Sequence, residues 1–102
     1  MGDVTDLRRE ARGRDCMIRS PVCSCDREQT VLAHLRMVGI SGAGTKAPDL
    51  LGAWSCYPCH QLADLGQFGD TKMTRDDRDL MLLRGIVRTQ YQLIREGKLL
   101  CE

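Results

Sequence analysis

The sequence predicts a small α+β domain held together by clustered cysteines more than by a large apolar core. Three observations carry that expectation. The chain has 102 residues, room for one domain. Aromatic residues make up only 4% of it while cysteine appears six times, a balance typical of small folds braced by a metal or by disulfides. A β-branched run near residue 30 and a long helical periodicity after residue 74 supply one strand and one dominant helix.

Taken in order, Thr5 can cap a short helix running to about Gly13, with Asp6 in its first turn and Leu7 and Ala11 on one face. Cys16 to Cys23 reads as an extended segment, since Pro21 opposes a helix. Thr30 to Leu35 reads as a strand ending near Arg36 to Val38, although its Leu and Ala residues leave a helix open. The glycine-rich loop from Gly39 to Pro48 has the glycine separation of a phosphate-binding loop. It lacks that motif's ending, because Thr45 and Lys46 stand where Lys and then Ser or Thr are needed. Asp49 to Trp54 leads into the pair Cys56 and Cys59, and a short helix starting near Pro58 or Cys59 carries His60, Ala63 and Asp64 until Gly66 and Gly69 break it. Thr74, followed by Asp76 and Asp77, opens the last helix, and Gly97 closes it. Leu80, Leu83, Ile86 or Val87, Tyr91 and Ile94 recur along it at helical spacing and are expected to be its buried stripe, with Arg84, Arg88 and Arg95 wetter.

Composition narrows the function classes. No apolar run approaches the roughly 18 residues of a membrane span. The first fifteen residues are charged throughout, without the apolar stretch of a secretory signal, so the cytoplasm is the expected compartment. Thiols stay reduced there, which favours metal ligation over disulfides. A net charge of +1 does not select a partner by itself. Arg8, Arg9, Arg12, Arg14 and Arg19 are interleaved with Asp3, Asp6, Glu10 and Asp15, the pattern of a solvated face with local ion pairs.

The stretch Cys56-Tyr-Pro-Cys59-His60 fits three chemistries: haem attachment, a redox dithiol, or half of a metal knuckle. Haem would leave four further cysteines without a role and would need more apolar surface to enclose it. A redox pair of this kind follows a buried parallel strand, and no continuous apolar run precedes it here. Tetrahedral zinc accounts for more residues, taking Cys56 and Cys59 as one pair and Cys16 and Cys23 as the other. Six residues separate Cys16 from Cys23, more than the usual spacing of about two to four, so that loop must fold back. Cys25 is a rival for Cys23, and Pro21 favours a turn just before Cys23. Cys101 reads as a free thiol.

The successive stretches ARGRDCMIRSPVC, VLAHLR, GAGTKAPDLLGAW and CYPCH resemble the YbcO-like nucleases of lambdoid prophages, a group within the HNH, or His-Me finger, superfamily. The resemblance runs from about Leu7 to Asp64 and continues less specifically through the last helix. It implies a ββα-metal core: a two-stranded ribbon and a helix braced by a structural zinc. It further implies that His34 acts as general base and that His60 holds a catalytic divalent cation, Mg²⁺ or Mn²⁺. Two positions depart from the superfamily pattern. Ala33 stands where a second cation ligand is common, and Leu51 stands where an asparagine orients the base. Asp49 is the nearest polar residue, able to ligate the cation, to orient His34, or to cap a turn after Pro48.

The resulting expectation is a single HNH-like domain over residues 1–102, with a short N-terminal and a long amphipathic C-terminal helix, acting as a metal-dependent DNA endonuclease of phage origin. Its residues would be Cys16, Cys23, Cys56 and Cys59 for zinc, His34 and Asp49 for catalysis, and His60 for the cation. Arg36 and Lys46 would meet phosphate. DNA is the expected partner and a homodimer is open to it. The alternative is a noncatalytic zinc-knuckle module that binds nucleic acid or a phage protein, with His34 merely packed.

Overall fold

A computed structural model describes residues 6–37, 40 and 47–99. Thr5, most of the glycine-rich loop including Gly39, Gly44, Thr45 and Lys46, and Cys101 lie outside the described residues.

The first helix, α1, spans Leu7–Glu10 and is shorter than expected. Asp6 is its N-cap, its carboxylate accepting from the Arg9 amide at 3.1 Å, so the residue expected in the first turn is the cap itself. Ala11 is fully buried beyond the last turn, and Gly13, at φ +74°, takes the chain out of the helix. Cys16 to Cys23 is not one extended segment. It bends at Met17 and Ile18 and turns at Pro21 and Val22. The Met17 amide donates to the Trp54 carbonyl at 2.7 Å, which ties this segment to the strand preceding the second cysteine pair.

Strand β1, Val31–His34, pairs antiparallel with β2, Gly52–Ser55, in a register that sets Leu32 opposite Trp54 and His34 opposite Gly52. A 3₁₀ turn over Asp49–Leu51 leads into β2. All four residues of β2 are buried, because the ribbon packs on one side against the last helix and on the other against the N-terminal segment. Helix α2, Tyr57–Leu65, follows directly, beginning one residue earlier than expected. Gly66 ends it in the left-handed conformation, φ +74°, with its amide on the Leu62 carbonyl. Strands β3, Gln67–Phe68, and β4, Thr71–Lys72, then form a hairpin over Gly69 and Asp70 where only a helix break was expected.

Helix α3, Arg75–Arg95, has the expected start and end. Thr74 caps it by accepting from the Asp77 amide at 3.1 Å, and Gly97 follows at φ +74°. Its buried face is a correction. Met81, Leu82, Gly85, Ile86, Thr89 and Leu93 are inside, while Leu80, Leu83, Val87, Tyr91 and Ile94 are exposed. The helix is apolar on two faces, and the inward one is chosen by fit. A Cβ on Gly85 would stand 3.0 Å from Ile18 Cγ1 and 3.1 Å from Ala53 Cβ, so only glycine lets the helix lie this close to β2. Thr89 Oγ1 accepts from the Trp54 amide at 3.0 Å, satisfying a backbone group the ribbon leaves unpaired. Arg84 and Arg95 are exposed as expected, but Arg88 is half-buried and donates to the Met17 carbonyl at 2.8 Å. No helix among the described residues is long and apolar enough to cross a membrane.

Candidate metal centre and adjoining cleft

Cys56 is the N-cap residue of α2, and Cys59 sits in its first turn. The helix start therefore presents both sulfurs together, and Pro58 occupies a first-turn position where its missing amide proton costs nothing. The other two come from the tied-down N-terminal segment. A turn closed by the Cys23 amide on the Ser20 carbonyl, 3.1 Å, with the Val22 amide on Ser20 Oγ, 3.2 Å, folds Cys23 back toward Cys16. The sulfurs of Cys16, Cys23, Cys56 and Cys59 all lie within 4.8 Å of one another, and those of Cys23 and Cys56 are 3.8 Å apart. Four sulfurs at about 2.3 Å around one tetrahedral zinc would be spaced by about 3.8 Å, so the cluster is of the right size. These four cysteines can hold a metal ion such as zinc. Cys25, exposed and at φ +57°, has its sulfur 3.7 Å from that of Cys23 but is not among the four.

The electrostatics of the cluster favour a cation. A hydrogen bond from Cys59 holds the Cys16 thiol down at about 4, while that same bond, together with burial, pushes Cys59 up. Cys23 is pushed up to about 12, chiefly by burial and then by the charge on Cys16. Without an ion, one thiolate is stabilised at the expense of its neighbours; a bound divalent cation removes that conflict. Ser20 Oγ lies 3.0 Å from Cys59 Sγ and, being buried, supplies the outer hydrogen bond that a metal-bound thiolate accepts.

Successive residues of a helix point about 100° apart. Cys59 thus faces the sulfur cluster while His60, the next residue, lines a cleft of about 620 Å³ between α1, β1 and α2. Arg8 and Arg12, His34 and Arg36, and His60 and Asp64 all border this cleft. His34 Nε2 is 2.7 Å from Asp49 Oδ1, to which Arg8 Nε also donates at 3.2 Å. Asp49 is thus hydrogen-bonded to both His34 and Arg8 across the mouth of the ribbon. Hydrogen bonding to His34 first, then Arg8, holds the Asp49 carboxyl below the usual carboxylate range against a smaller opposing effect of burial.

His60 and Asp64 stand one helical turn apart, with Nε2 and Oδ2 3.2 Å from each other, and Arg36 Nε donates to the other oxygen of Asp64 at 3.0 Å. Burial pushes the Asp64 carboxyl up, but the bond and charge of His60, followed by those of Arg36, outweigh it and leave the carboxyl below its ordinary value. An imidazole nitrogen and a carboxylate oxygen in this arrangement form a pair of ligands that a divalent cation can use.

Of the expected site residues, the four cysteines are gathered in one cluster, His34, Arg36 and His60 border one cleft, and Asp49 reaches it through His34. Lys46 lies outside the described residues. Asp64, Arg8 and Arg12 were not singled out. The signal for Asp64 was present, four residues after His60 on the same short helix; the two arginines carry no local mark.

A family model described as "Putative nuclease YbcO" matches residues 5–98. Two relatives are each 41% identical over 96 residues, spanning 92% of this chain and 96% of the relative: "Putative nuclease YbcO" of Escherichia coli (strain K12) and "Putative nuclease ybcO" of Enterobacteria phage 82. A solved structure titled as that of a putative bacteriophage protein from Escherichia coli K-12 superposes with a TM-score of 0.71 at 32% identity, covering 90% of this chain and all of the other. The chain belongs to the YbcO family, whose model and these two relatives carry the description "Putative nuclease".

Proposed function

We propose that the chain is a metal-dependent DNA endonuclease of the HNH type and of phage lineage, working in the host-cell cytoplasm. The observation that carries this is the meeting, in one arginine-lined cleft, of a carboxylate-oriented histidine with a histidine–carboxylate pair. An antiparallel ribbon followed by a helix, with sulfur ligands at their junction, supports the same assignment.

Arg8, Arg12 and Arg36 bring positive charge to the cleft and suit a phosphodiester backbone. With Asp49 accepting from Nε2–H, His34 carries its lone pair on Nδ1 and takes a proton from the attacking water. Asp49 holds the ring against rotation and stabilises the imidazolium that results. His60 and Asp64 would hold Mg²⁺ or Mn²⁺, which supplies charge neutralisation at the phosphate and at the departing 3′ oxygen. Zinc would sit among Cys16, Cys23, Cys56 and Cys59 and fix the start of α2, and with it His60, relative to the ribbon that carries His34.

Nicking of supercoiled plasmid by the zinc-loaded protein with Mg²⁺ or Mn²⁺ tests this. His34→Ala should lower the rate by about 10²–10⁴-fold, and Asp64→Asn should raise the cation concentration needed for half-maximal rate. Equal rates for wild type and His34→Ala would remove the mechanism, and DNA binding without cleavage would leave a nucleic-acid-binding module.

A further inference from the structure

The outward face of α3 is apolar and is left exposed by the described residues. Leu80, Leu83, Val87, Tyr91 and Ile94 are between 40% and 64% exposed, on the side of the helix away from Met81, Gly85, Ile86 and Leu93. A stripe of this length, about 21 Å from first residue to last, is unusual on a monomer surface.

Two features say what covers it. The first is its symmetry. The five positions are separated by 3, 4, 4 and 3 residues, so the stripe reads the same in both directions about Val87. Laid antiparallel on itself around a two-fold axis at Val87, it sets Leu80 against Ile94 and Leu83 against Tyr91, an apolar pair at every level. The second is charge. Asp77 in the first turn and Arg95 in the last are both exposed, and their separation of 18 residues is about five full turns, so they flank the same edge of the stripe. Antiparallel pairing brings Asp77 beside Arg95 of the second copy, twice; it also brings Arg84 toward Arg88 of the second copy, whose guanidinium is turned onto the Met17 carbonyl of its own chain. Opposed helix dipoles favour the antiparallel arrangement as well.

We propose that the protein forms a two-fold homodimer through α3, with Val87 on the axis and an Asp77–Arg95 pair at each end. None of the stripe residues borders the cleft, so both clefts stay open in the dimer and the interface does not depend on what the cleft does.

Sedimentation velocity of the full, zinc-loaded chain across a concentration series tests it. The wild type should sediment as a dimer. Val87→Arg sets two like charges against each other on the axis and should weaken association by about 100-fold or more. Because Val87 is exposed, the far-UV spectrum and zinc content should stay unchanged in that variant. Arg95→Glu should also weaken the dimer, and Asp77→Lys combined with it should restore association. A wild type that remains monomeric up to about 1 mM, a dimer indifferent to Val87→Arg, or a double variant no better than Arg95→Glu would each overturn the proposal.

Discussion

Asp49 Oδ1 lies 2.7 Å from His34 Nε2, joining the end of β1 to the 3₁₀ turn that leads into β2. The bond spans 15 residues of chain, most of them the glycine-rich loop, and its geometry is set by the ribbon pairing His34 with Gly52. Under the proposed mechanism Asp49 would take the part that the resemblance assigns to an asparagine at the position of Leu51. If it orients the base, Asp49→Ala should lower kcat by about 10–100-fold while leaving DNA affinity close to wild type. Asp49→Asn should recover part of the loss, since an amide oxygen still accepts from Nε2–H. Single-turnover cleavage of a labelled duplex separates the two effects; a pure rise in KM would show that Asp49 acts on binding through Arg8.

Removing the ion should unfold the site first. Cys56 and Cys59 are fully buried, and a bound cation would compensate four thiolates held so close. Purified protein is expected to carry one zinc per chain by elemental analysis. Cys59→Ser should lose it and lower the melting temperature by about 10 °C or more. Cys25→Ser should keep both, because Cys25 stands outside the four. Loss of zinc in Cys25→Ser with retention in Cys23→Ser would exchange those two ligands.

Legibility followed how local the determining physics is. The Cys56–Cys59 pair, the Thr74 cap and the Gly97 exit depend on neighbours within a turn, and their spacing is visible in the sequence. Cys16 and Cys23 were harder, since their approach depends on a Ser20–Cys23 turn and on the Met17–Trp54 bond across 37 residues. The inward face of α3 was misjudged for a physical reason. Leu80, Leu83, Val87, Tyr91 and Ile94 form the more apolar stripe, whereas the packed one contains Gly85 and Thr89, whose value lies in close approach and in a hydrogen bond. Hydrophobic periodicity reports apolar faces; it does not say which of two meets the sheet. Arg8 and Arg12 went unassigned because only the docking of α1 beside β1 brings them to the cleft.

The glycine in that packed face makes a sharp prediction. Gly85→Val should destabilise the fold by about 1–3 kcal/mol, because the added atoms meet Ile18 and Ala53 and cannot be relieved by a flexible side chain alone, the Ile18 Cα standing 3.3 Å from the new Cβ. Val87→Ala, two residues on and outward, should change chain stability by less than about 0.5 kcal/mol below the dimerisation range. Urea unfolding of the two variants at low protein concentration distinguishes them. Equal and small effects would mean that α3 does not lie on β2 through this face.

Acid sensitivity should centre on the cluster joining the two ends of the described chain. Arg14 sits over the Trp54 ring, 4.5 Å from its centre, and bonds to Glu10 at 2.9 Å and Glu96 at 2.6 Å; Lys98 adds a bond to Glu10 at 2.5 Å. Hydrogen bonds from Arg14 and then Gln92 hold the Glu96 carboxyl far below its ordinary value of 4.5. Lys98, followed by Arg14, lowers Glu10 against the opposing effect of burial. A carboxyl with a depressed folded pKa stabilises the fold fully above its unfolded value and loses that contribution as pH falls through the folded one. The cluster's share is therefore intact at neutral pH and declines below about 4.5. Acid would also protonate metal-bound thiolates and release a bound zinc, which would obscure this in the wild type alone. Glu96→Gln shares the zinc loss but lacks the titrating group, so it should be less stable than wild type at pH 7 and the gap should close as pH approaches 3. A gap that stays constant or widens on acidification would show that Glu96 contributes through packing and not through its charge.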